Sequence, residues 1–291
     1  MNAFTNSGAV NRPAYEALTG DIERQLQNVL DDFNAAPSRD YLFEAGAIAE
    51  IAILGRDLPS GRRLAAPIGK AAADWARRGL LEEVCFSETL MTYHASILLL
   101  LAGEVDWSVL QRLSDAGMIG RSEWPVLTQL YISATFRKCG IVSAIPGSEL
   151  ADFTARIDKR CLRASSTEYD LALLLMVAQL AQLGETDGMS SAVPYGKPRL
   201  MPQLLLTQAL RWRNLNWLPV LVFLCRRFFS LSPAIEEAAR RTLGEVAATP
   251  GSFDTHPDDL RRETEYFSRT ARSLRIRSAT AFAFYLDTCM E

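Results

Sequence analysis

Apolar residues recur at helical spacing throughout residues 87–103, SETLMTYHASILLLLAG. Ser87 can accept hydrogen bonds from the free N–H groups of a helix start, and Gly103 can adopt the left-handed conformation that ends a helix. Apolar side chains also fill most of the other faces, which is typical of a buried helix. This segment is therefore predicted to be a core helix. Its main apolar face comprises Leu90, Tyr93, His94, Ile97, Leu98 and Leu101.

Three further segments repeat this order of serine, apolar run and glycine: residues 38–55, 122–140 and 165–184. The four final glycines lie 48, 37 and 44 residues apart, an irregular period that suits helix pairs stacked as a repeat. More polar helices are predicted between these segments, and no stretch alternates as a strand does. We therefore predict an all-α fold of about six helical hairpins, forming an α/α toroid or a short α-superhelix with the apolar helices inside.

Residues 1–12 are small and polar and are predicted to be a disordered tail. Residues 13–291 are predicted to form a single all-helical domain, with a long loop at 185–201 that contains Pro194, Gly196 and Pro198. The other predicted helices are 13–34, 62–78, 106–116, 148–163, 202–213, 216–229 with a kink at Pro219, 233–248 and 258–287.

The composition is that of a soluble globular protein, with 48% apolar and 22% charged residues. A net charge of −3 gives no electrostatic reason to expect nucleic acid or an anionic membrane as a partner. The five cysteines are scattered, and the first residues lack the pattern of a signal peptide. We expect a cytoplasmic bacterial protein, and a homodimer is a further expectation.

Acidic residues follow the starts of all four apolar helices, among them Glu44, Glu88 and Asp170. Acids at these positions complement the helix dipole, which is one explanation. The other places them around a cavity mouth, where two could act as general acid and base. Four aromatic residues could line that cavity: Tyr41, Tyr93, Trp124 and Tyr169.

His94 is one of two histidines and lies on an apolar helix face. It is either a core residue with one satisfied hydrogen bond or a desolvated imidazole that acts as base or acid beside Tyr93. Glu88 lies six residues before His94, about 240° around the helix, so the two cannot both face one pocket squarely.

Arg211 and Trp212 begin the cluster RWRNLNW, which is either a helix corner or an anion-binding wall. The later arginines near the C-terminus are balanced by acids, which indicates a solvated helix face. These arginines are Arg261, Arg262, Arg269, Arg272, Arg275 and Arg277. With two distant histidines and no Gly-rich phosphate loop, we expect no metal and no cofactor.

The capped apolar helices resemble α/α-toroid proteins such as glycosidases, terpenoid cyclases and lanthionine cyclases. The zinc ligands of lanthionine cyclases and the Gln-Trp motifs of triterpene cyclases have no counterpart in this sequence. The segments LDDFN and NLNWLPVLVFLCRRF, together with the Glu44–Gly55 helix, are similar to uncharacterised all-helical proteins of actinobacteria. The resemblance implies a fold and no catalytic residues.

Two functions are consistent with the sequence. The first is binding of a small molecule or short peptide in a central pocket, with cofactor-independent acid–base chemistry (cyclisation, isomerisation or elimination) as its catalytic form. The candidate catalytic residues are His94, Glu88, Tyr93 and Asp170, and the candidate binding residues are Tyr41, Glu44, Trp124, Tyr169, Arg211 and Trp212. The alternative is a non-catalytic helical-repeat module that binds a protein or peptide along an apolar groove.

Overall fold

The computed structural model describes residues 3–5, 8–85, 89–103, 200–212, 217–228, 231–247 and 265–290. Within these ranges the chain forms helices and no named strand, so the predicted all-α class is confirmed for this part of the chain. The helices are α1 Arg12–Ala35, α2 Arg39–Ala52, α3 Pro59–Arg77, α4 Leu80–Cys85, α5 Thr89–Ala102, α6 Leu200–Trp212, α7 Leu218–Phe228, α8 Pro233–Ala247 and α9 Glu265–Met290.

The predicted helix ends are correct in two places and wrong in a third. The Ser38 side chain accepts a hydrogen bond from the Tyr41 N–H at 3.4 Å, as a helix cap does. Gly103 follows α5 with φ +76°, the left-handed conformation that the sequence predicted. Gly55 does not end α2 in this way, because α2 already ends at Ala52 and Gly55 lies beyond it without a positive φ.

Proline explains two further differences from the predicted bounds. Helix α3 begins at Pro59 and not at Arg62, because the first helical position needs no N–H donor. Pro219 is the second residue of α7, so it lies in the first turn, where the lack of an N–H breaks no helical hydrogen bond. Helix α6 begins at Leu200, inside the segment predicted as a loop.

The described residues before α1 pack on the protein. Ala3 and Phe4 are buried, and the Asn11 N–H donates to the Ala3 carbonyl at 2.8 Å. An isolated antiparallel bridge joins Phe4 to Val10. This part of the segment predicted as a disordered tail is therefore folded, because Phe4 buries an aromatic ring that would otherwise face water.

Side-chain contacts fix the directions of α1 and α2 relative to α9. Tyr15 and Asp32, near opposite ends of α1, bond to Asp287 and Arg272 respectively, so α1 is antiparallel to α9. Glu44 of α2 pairs with Arg272 of α9, and Glu50, further along α2, pairs with Arg277, further along α9. Helix α2 is therefore parallel to α9.

Helix α7 also runs parallel to α9, because Phe223 packs on Phe284 at 5.4 Å between ring centroids and Arg226 donates to the Thr288 carbonyl at 2.8 Å. Helix α9 therefore contacts α7 as well as α1, so the first and last described helices are neighbours. All side chains of α7 from Leu218 to Cys225 are buried, as are those of α9 from residue 276 to 288.

The two predicted apolar helices that the structure describes are buried, as the sequence predicted. In α2 every residue from Glu44 to Ala52 is buried, and Ala95, Ile97, Leu98 and Leu99 of α5 are buried. The other two predicted inner helices, 122–140 and 165–184, and loop residues 185–199 lie outside the described residues. No helix in the described ranges is both long enough and apolar enough to cross a bilayer.

Candidate functional site

A charged cluster lies where α1, α2 and α9 meet. Glu44 of α2 is fully buried and forms a hydrogen-bonded ion pair with Arg272 of α9. Arg272 also bonds to Asp32 of α1 at 2.8 Å. The side chains of Arg272 and Asp32 are 29% and 39% exposed, so the cluster connects a buried carboxylate to solvent. We call these three residues the surface cluster.

Arg272 is positively charged in the surface cluster. Burial acts to lower the pKa of Arg272, but the hydrogen bonds and charges of Glu44 and Asp32 outweigh it, and the net shift is upward. The surface cluster contains two carboxyl groups and one guanidinium. This excess of acidic groups favours a cation or a hydrogen-bond donor as its ligand.

A second ion pair lies further along the same two helices. Glu50 and Arg277 are 3.4 Å apart, and their side chains are only 5% and 6% exposed. The sequence pattern indicated a solvated helix face for Arg277, which is wrong because this stretch of α9 is covered by its neighbours. Buried charges persist only when they are paired, and Glu50 supplies the opposite charge.

His94 of α5 lies beside these charges and contacts α2. The imidazole packs directly on the backbone of Gly46, and its ring lies 5.1 Å from that of Phe43 in an edge-on contact. The pKa of His94 is lowered to about 3, mainly by burial; a hydrogen bond with the Gly46 backbone opposes the shift, and the charge of Arg277 adds to it. The imidazole is therefore neutral at physiological pH.

The structure places His94 and Glu44 on different sides of α2. His94 contacts Phe43 and Gly46, whereas Glu44 lies two positions before Gly46, about 200° around the helix, and pairs with Arg272. Tyr41 is half-buried in the first turn of α2, one turn before Glu44. Tyr93 lies next to His94 in α5.

The remaining predicted site residues are not brought to this place by the described part of the chain. Arg211 is exposed in the last turn of α6, and Trp212 is the final residue of that helix. Four of them lie outside the described residues: Glu88, Trp124, Tyr169 and Asp170.

Sequence reasoning did not assign Asp32, Glu50, Arg272 or Arg277 to a site, although Arg272 completes the surface cluster and Arg277 pairs with Glu50. A usable signal was present in α2, where Glu44 and Glu50 interrupt the otherwise apolar run EAGAIAEIAI. An acidic residue on a buried helix requires a cation from another element. The sequence does not say which of its 31 basic residues supplies that cation.

A separate polar cluster surrounds Asp287, near the end of α9. Its buried carboxylate accepts hydrogen bonds from the Tyr15 hydroxyl at 2.6 Å, from the Ser60 N–H at 3.0 Å and from the Ser60 hydroxyl. Ser60 is in the first turn of α3, whose own N-cap residue, Leu58, provides no side-chain cap. Asp287 therefore caps α3 from another helix, and the positive end of the α3 dipole stabilises its charge.

The Tyr15 hydroxyl is protonated in the Asp287 cluster. Burial raises the pKa of Tyr15 above its ordinary value, and the hydrogen bond to Asp287 raises it further. Because Tyr15, Ser60 and Asp287 are all buried, we assign this cluster a structural role.

No group of three or more histidine, cysteine or acidic side chains that could hold a metal ion occurs among the residues described by the structure. The chain matches no protein-family model, no curated protein and no solved structure.

Proposed function

We propose that this protein binds a small molecule or short peptide that carries an amino group, and that the ligand contacts Asp32 and Arg272 at the surface cluster. The observation that carries the proposal is the continuity from a fully buried carboxylate, Glu44, to a solvent-exposed one, Asp32, through a shared arginine. An ammonium group placed beside Asp32 would meet a net negative charge that is already desolvated on one side.

We further propose that the helices close into an α/α toroid whose central pocket opens at the amino-terminal ends of the inner helices. Contacts of α9 with both α1 and α2 support this arrangement, because they place the end of the chain beside its beginning. The common direction of α2, α7 and α9 also supports it, since inner helices of such an array run parallel.

The burial of His94 argues against acid–base catalysis by this residue. With a pKa of about 3, its neutral form accepts a proton poorly, and its cationic form is scarce at neutral pH. The alternative of an apolar docking groove has little support in the described residues. Among their large hydrophobic side chains Met290 is exposed, at 41%, and one such side chain does not form an apolar groove.

Thermal unfolding with simple amines tests the proposal. We expect putrescine and the dipeptide Gly-Lys to raise the melting temperature with increasing concentration, and acetate to leave it unchanged, because ligands that bind only the native state stabilise it. Asp32→Asn should abolish the effect. The matched control is Asp57→Asn, an exposed aspartate paired with Arg227, which should retain it. Equal responses of both variants, or no response of the wild type, would contradict the proposal.

A further inference from the structure

The outer face of α3 is strongly basic in a protein whose net charge is negative. From residue 59 to 78 the chain has five basic residues and one acidic residue, Asp74, whereas the whole protein carries −3. Three exposed members lie along one face: Arg62, Lys70 and Arg77. We call these three residues the basic stripe. They fall within about 80° of arc and span about 22 Å along the helix axis.

Much of the charge on the basic stripe is not neutralised inside the protein. The side chains of Arg62 and Lys70 form no hydrogen bond or ion pair with any residue that the structure describes. Arg77 has only a long contact of 3.4 Å with Asp74, and its side chain is 73% exposed. Arg63, which lies beside the stripe, is by contrast paired with Glu16 and Glu23 of α1.

The position of Arg62 is unfavourable for α3 itself. It follows directly after the first turn of the helix, and that turn contains no acidic residue. A cation near the amino-terminal end of a helix opposes the helix dipole, typically by a few tenths of a kcal/mol. The first turn of α3 therefore provides no acidic side chain to balance the charge of Arg62.

The opposite face of α3 is anchored, so the basic stripe is presented on a rigid support. Ile68, Ala72 and Trp75 are fully buried, and the Trp75 indole N–H donates to Asn34 at 2.7 Å. Between the charged positions the exposed face has Ala66, which leaves space for another helix to approach closely. The face presents no aromatic side chain for base stacking and no large apolar side chain for membrane insertion.

From these observations we propose that the basic stripe of α3 binds an acidic helical segment of a partner protein. Carboxylates spaced eight and seven residues apart on one face of a helix would match Arg62, Lys70 and Arg77. On the neighbouring helix α1, three acids are already engaged with arginines of this chain, Glu16 and Glu23 with Arg63 and Asp21 with Arg24, so α1 of a second copy would offer the stripe few free carboxylates.

The test is a fluorescence-anisotropy titration with a labelled, alanine-rich helical peptide of about 20 residues, whose glutamates are spaced to match the basic stripe. A peptide with glutamine at the same positions is the ligand control. We expect only the glutamate peptide to bind, with an affinity that falls about tenfold between low and physiological salt.

Two triple variants separate a specific surface from overall charge. R62E/K70E/R77E alters the basic stripe, and R12E/R24E/R241E alters exposed arginines on α1 and α8. Each replacement changes the charge by −2, so both variants go from −3 to −9. With folding verified by circular dichroism, the first should lose at least about tenfold in affinity and the second less than about threefold.

Four results would overturn the proposal: no binding of the glutamate peptide, equal losses in both triple variants, equally tight binding of a single-stranded DNA of the same charge, or self-association that the stripe variant abolishes. The third would indicate a nucleic-acid partner and the fourth a second copy of this chain. None of these results depends on the amine site at Asp32, which is tested with different probes and variants.

Discussion

The imidazole of His94 occupies the space that a side chain at Gly46 would need. A β-carbon built at position 46 would overlap the Cβ, Cγ and Nδ1 atoms of His94. The glycine therefore allows α5 to pack its histidine on the α2 backbone, at the level of the Glu44–Arg272 ion pair. A substitution at position 46 therefore tests this contact.

Replacement of Gly46 by alanine is expected to destabilise the protein, because the new methyl group would overlap the buried ring of His94. We expect a loss of about 1–3 kcal/mol in the free energy of unfolding, measured with urea. Gly20→Ala is the matched control, since a β-carbon there meets nothing within 4 Å and α1 is helical at that position. It should be neutral or stabilise by up to about 1 kcal/mol. If the two variants have equal stability, the contact is not as described.

The lowered pKa of His94 predicts a dependence of stability on pH. The folded pKa is about 3 and the ordinary value is 6.5, so between these pH values only the unfolded chain binds the proton. The contribution of the neutral imidazole to the free energy of unfolding is thus fully present above pH 6.5 and is lost as the pH falls toward 3.

The measurement compares the wild type with His94→Gln, which does not titrate. The difference between their unfolding free energies should shrink by about 1.4 kcal/mol per pH unit below the ordinary pKa of histidine. Carboxylates that titrate alike in both proteins cancel in this difference. A difference that is constant from pH 7 to 5 would show that His94 is not desolvated.

The buried pair of Glu50 and Arg277 predicts strong coupling. Arg277→Met removes the cation that pairs with Glu50 in a site where both side chains are no more than 6% exposed, and should cost about 3–5 kcal/mol. Glu50→Leu combined with Arg277→Met removes both charges and should cost much less than the sum of the single changes. The exposed pair Arg77–Asp74 is the control, where Arg77→Met should change stability by less than about 0.5 kcal/mol. Additive single changes at positions 50 and 277 would argue against the ion pair.

The capping of α3 by Asp287 predicts a local effect beyond global stability. Asp287→Ala removes the acceptor of three hydrogen bonds, and we expect a loss of about 3 kcal/mol together with faster hydrogen exchange at the Ser60 amide. Asp287→Asn keeps one acceptor oxygen and should cost less. Unchanged exchange at Ser60 in the alanine variant would mean that α3 is capped by another group.

Periodicity predicted the described helices other than α4, because the repeat of apolar residues and the choice of Ser38 and Gly103 as boundaries are local properties. The burial of α2 and α5 also followed, since a helix that is apolar on nearly every face has to be covered. Glu44 and His94 could be nominated because charged and titratable residues are conspicuous within such helices.

The tertiary structure alone decided the partners of these residues. Arg272 lies 228 residues from Glu44 along the chain, and Arg277 lies 227 residues from Glu50. No local pattern distinguishes these arginines from others that are solvated, because pairing depends on which helices pack together. Phe4 and Gly55 were misjudged for the same reason: their roles come from surfaces supplied by distant helices, and a local propensity contains no information about such surfaces.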